Sequence, residues 1–71
     1  MHQRNERRSR WVQTEAAKHT TPDSIRRRIV HETEQIRNLL GSGAASDSMA
    51  EALEAHRELI RVLTERLAGF A

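Results

Sequence analysis

The stretch TTPDSIRRRIVHETEQIRNLLGSG, residues 20–43, decides the fold. Thr21 is a helix-capping residue, Pro22 suits the first helical position, and Asp23 sits where a helix dipole favours negative charge. Ile25, Ile29, Ile36, Leu39 and Leu40 then recur at helical spacing and share a face about 100° wide. Gly41-Ser42-Gly43 ends the run, with Gly41 the natural residue for a left-handed position after the last turn. The spacing predicts a helix over about 22–40.

Residues 41–47 are small and polar and read as a loop. Ser48 with Glu51 forms a capping box, with Ser46 as the alternative cap. A second helix over about 48–68 places Met49, Leu53, Ile60, Leu63 and Leu67 on one face, and Gly69 ends it, leaving Phe70 to fold back. Two helices joined by a short polar loop imply an all-α chain built on an antiparallel hairpin over residues 21–71. One seam between two helices leaves half of each apolar face wet, so those ten residues are the expected dimer or partner interface. The expected assembly is a homodimer closing a four-helix bundle.

Residues 1–20 form a basic arm or a short extra helix. Arg4, Arg7, Arg8, Arg10 and Lys18 stand against Glu6 and Glu15, a net of +3, whereas residues 41–71 carry three Arg against five acids, a net of −2. Arg10–Thr14 is the one stretch that passes for a strand, and a ribbon-helix-helix repressor would use it so. The interval from Thr14 to Pro22 is long for that fold, and Val12 and Ala16 at i and i+4 favour a helix. Arg4, Arg7, Arg8, Arg10, Trp11, Arg26, Arg27 and Arg28 are the expected contacts to phosphate or to a partner, with Trp11 as a stacking aromatic or as a lid near Leu67 and Phe70.

Each apolar face has one interruption. Glu32 falls near the middle of the first and His56 near the middle of the second. In an antiparallel hairpin, paired residue numbers keep a constant sum. Pairing Leu40 with Met49 puts Ile36 against Leu53, Ile29 against Ile60, and Glu32 within one residue of His56. The expectation is a polar Glu32–His56 layer in the core that fixes register at some cost in stability.

No metal is expected there. The bundle di-metal signature needs a Glu three residues before each His, and Arg28 precedes His31 as Leu53 precedes His56. His31-Glu32-Thr33-Glu34-Gln35 opens like a zincin motif but has Gln35 where the second His must stand. With no cysteine, no phosphate loop and no serine–histidine–acid arrangement, neither a catalytic residue nor a cofactor is expected, and the chain does not read as an enzyme. The residues after Met1 form no apolar stretch, and no run spans a bilayer, so neither a secretory signal nor membrane insertion is expected. A cytoplasmic, small regulator or adaptor acting by protein–protein contact is the leading expectation. A nucleic-acid-binding regulator using the arginine-rich arm and the first turns of the first long helix is the alternative.

Overall fold

The computed structural model describes residues 2–43 and 46–70, with side chains described from Asn5 onward. The chain is all-helical: α1 spans His2–Ala17, α2 Pro22–Gly41 and α3 Asp47–Ala68, and no strand occurs among the described residues. Arg10–Thr14 lies inside α1. Among the described residues no helix is long and apolar enough to cross a membrane.

The caps follow from local chemistry. Thr21 is extended, and its hydroxyl accepts from the Ser24 amide, with Pro22 in the first turn. Ser46 rather than Ser48 caps α3, accepting from the Met49 amide, so α3 starts at Asp47, which adds an acid to its first turn. At the end of α2 the left-handed residue is Gly43, with φ of 74°, and not Gly41. Ser42 explains the delay: its amide and its hydroxyl both donate to the Leu39 carbonyl, which tightens one more turn before the chain breaks away.

α3 is the central element, and α2 and α1 each pack on it. Val12 and Ala16 of α1, Ile25 of α2, and Leu59 and Leu63 of α3 form the buried core, with Trp11, Ile29, Val62 and Leu67 packed against it. At about 1.5–3 kcal/mol for each large side chain, this small set supplies most of the apolar stabilisation. α1 has few apolar residues besides Trp11, Val12 and Ala16, and an isolated helix of this length is marginal in water. Its docking on α3 therefore holds it helical. Arg8 Nε donates to Glu58 Oε2 at 3.0 Å, and an Arg66 guanidinium N–H donates to the Ala16 carbonyl, pinning both halves of α1 to α3.

Leu59, Val12 and Ala16 join the core in addition to the residues expected from the two stripes. Taking about 100° per residue, Ala52, Ala55, Leu59 and Val62 adjoin the Met49–Leu67 stripe and widen the apolar arc of α3 to about 180°. A helix with so wide an arc seats two neighbours. The molecule measures 38 × 29 × 16 Å. Three helices closed into a triangle at axis separations of 8–10 Å would span only about 15 Å in either short direction, so α1 and α2 splay apart across α3.

Candidate functional site

Burial along the α2–α3 pair is one-sided. Ile25 and Leu63 are fully buried beside α1, while Ile36, Leu39, Met49 and Leu53, nearer the connecting loop, are only half-buried and Leu40 is 57% exposed. Ile29, Ile60 and Leu67 are also half-buried. The loop end keeps five large apolar side chains in partial contact with water.

Between the two ends lies the polar layer. Glu32 is 1% exposed, and the structure brings it against His56. One carboxylate oxygen, Oε2, contacts His56 Nδ1; the other, Oε1, accepts from Arg28 Nε at 2.8 Å. A carboxylate only accepts, so His56 carries its proton on Nδ1 and donates it. Among the described residues Nε2 has no hydrogen-bond partner and no buried side-chain nitrogen or oxygen lacks one, so Nε2 reaches solvent. The Trp11 ring stands edge-on to the imidazole, with centroids 5.7 Å apart at 87°. Trp11 is thus half-buried against the layer, away from the lid position over Phe70, which is 52% exposed.

Arg28 extends the pair into a chain of charges across all three helices. Its Nη2 donates to Glu15 Oε1 of α1 at 2.9 Å, and Lys18 Nζ donates to Glu15 Oε2 at 2.7 Å. Hydrogen bonds from Lys18 first and Arg28 second hold the Glu15 carboxyl below the usual carboxylate range. For Arg28, burial opposes the charge, but the bonds to Glu32 and Glu15 outweigh it and the guanidinium is held still more firmly protonated.

At the corner between α1 and α2, Arg28 Nη1 also lies 3.4 Å from His19 Nε2, and His19 Nδ1 meets Ser24 Oγ. A guanidinium only donates, so Nε2 accepts and the proton sits on Nδ1, donated to Ser24. Burial first, and Arg28 second, push the His19 imidazole below its ordinary range.

The remaining expected contacts separate into two groups. Arg8, Arg26 and Arg28 are engaged within the chain, Arg26 with Asp23 at 3.2 Å, whereas Arg7, Arg10 and Arg27 are exposed. The Arg4 side chain lies outside the described residues. Arg28 does not face outward with its two neighbours, because it flanks the Ile25–Ile36 stripe on the side that α1 occupies.

The chemistry available is limited. A carboxylate behind Nδ1 with a free Nε2 is the arrangement that orients a histidine as a base or a ligand. No group of three or more His, Cys, Asp or Glu among the described residues is placed to hold a metal. Ser24 and His19 resemble a nucleophile and its base, but a guanidinium stands where a supporting carboxylate belongs. Proton uptake by His19 is thereby opposed rather than assisted. The cleft between α1 and the first turns of α3, lined by Asn5, Arg8, Ser48, Glu51, Ala52 and Ala55, is open and has neither His19 nor His56 in its lining. Compared with known protein families, curated proteins and solved structures, the chain matches none.

Proposed function

We propose that this protein is a small non-enzymatic regulator or adaptor that works by protein–protein contact. In this reading it dimerises through the loop end of the α2–α3 hairpin to complete a four-helix bundle. One observation carries the proposal: Ile36, Leu39, Leu40, Met49 and Leu53 leave a half-wet apolar surface at the loop end of the hairpin.

Area favours a second copy as its occupant. The accessible surface is 5179 Å². A compact monomer of 8.2 kDa is expected to expose about 4500 Å². The excess of roughly 650 Å² belongs to the whole splayed chain and leaves surface that a second copy would cover.

Exposed Arg7, Arg10 and Arg27 favour a second reading, nucleic-acid binding, with fewer free arginines than the sequence promised. Sedimentation mass at micromolar concentration tests the first reading. The wild type sediments as a dimer and Leu40→Glu with Leu53→Glu as a folded monomer; a monomeric wild type overturns the dimer. A gel shift with nanomolar affinity that weakens steeply with salt would put the second reading first.

A further inference from the structure

The corner between α1 and α2 has a feature that the docking surface does not use. His19 is held on both ring nitrogens, by Ser24 on one side and by Arg28 on the other. The same Arg28 is the bridge from α2 to Glu15 on α1. The backbone is tied at this point too: the His19 amide donates to the Ala16 carbonyl, the carbonyl that Arg66 of α3 also binds.

We propose that His19 is an acid-released latch on α1. A proton added at Nε2 replaces an acceptor by an N–H and sets an imidazolium against the Arg28 guanidinium. Both groups then donate and neither accepts. Arg28 cannot retreat from His19 without loosening its grip on Glu15, and Glu32 anchors its other edge in the core. The imidazolium leaves instead, and it takes with it the connector that ends α1. Docking of α1 on Leu59 and Val62 weakens as a result, and Val12 and Ala16 become exposed.

The charges around the ring set the sign. Glu15 favours the imidazolium, while Arg28 and Lys18, together with Arg66 from α3, oppose it, and burial opposes it most. The closed form therefore takes up its proton at lower pH than the open form, whose imidazole titrates near pH 6.5. Closure is complete above that value and is lost as pH falls below it. Each pH unit between the two values changes the closed-to-open ratio by about tenfold.

The test is nuclear magnetic resonance on the intact chain. The His19 ring is titrated directly, and amide exchange at pH 7.5 and 5.5 is referenced to the intrinsic rate at each pH. The expected result is a His19 midpoint below the ordinary imidazole value, with α1 amides losing more protection on acidification than those of α2. His19→Asn keeps a donor for Ser24 Oγ and cannot be charged, so the difference disappears in that variant. A His19 midpoint at or above 6.5, unchanged α1 protection in the wild type, or the same loss in His19→Asn overturns the latch. If His19→Asn fails to fold, the ring titration and the α1 protection of the wild type decide the matter.

Discussion

Replacing Arg28 by Met tests the charge network most directly. Methionine keeps the apolar stem of the side chain and removes the guanidinium that joins Glu15 to Glu32. Breaking a buried pair by removing one partner costs about 3–5 kcal/mol, because the other charge is left behind. Glu32 is 1% exposed and meets the full penalty, but the Arg28 side chain is 17% exposed, so water entering its vacated place recovers part of it. The expected loss is about 2–4 kcal/mol. For a domain of this size each kcal/mol moves Tm by about 4–8 °C, so the melt falls by roughly 10–30 °C. Urea unfolding at pH 7, followed by helical circular dichroism, gives the number, provided the slope m stays constant. A companion variant separates this cause from simple damage. Arg28→Met, Glu32→Leu and His56→Leu together remove the buried charge with its partners, and the triple variant should match or exceed wild-type stability. A cost below about 0.5 kcal/mol for Arg28→Met alone, or a triple variant worse than the single one, would refute the reasoning.

Two further predictions concern the core and the acid limb of stability. Leu59→Ala, at a fully buried position on α3, should cost about 2–5 kcal/mol by urea titration, whereas Val30→Ala, at an exposed position outside the proposed interface, stays within about 1 kcal/mol. Glu15 is held below the usual carboxylate range in the folded chain, so its contribution is present above the unfolded value near 4.5 and is lost as pH falls through the folded one. Glu15→Gln should therefore flatten the stability profile below pH 4.5, and an unaltered acid limb would contradict the Lys18–Glu15–Arg28 geometry.

Sequence and structure divide the account of this protein by the range of the interactions involved. Thr21, Pro22 and the 3.6-residue spacing of Ile25 through Leu40 act within a turn or two, so α2 and the position of α3 were legible in the chain. The Glu32–His56 contact was legible as well, because a fixed loop length and two periodic faces leave an antiparallel pairing little freedom of register. The place of α1 was not. Its only apolar clue is Val12, Ala16 and Trp11, too few to distinguish a docked helix from a solvated arm. The matching signal sat on α3, where Leu59 and its neighbours widen the arc beyond what one partner needs. Arg28 and His19 owe their roles wholly to that docking: an arginine at the edge of a stripe faces solvent until another helix brings Glu15 to meet it. Local periodicity determined which segments are helices and where the polar layer falls. Tertiary packing alone decided which charges α1 meets, because that depends on a neighbour as far as fifty residues away in the chain.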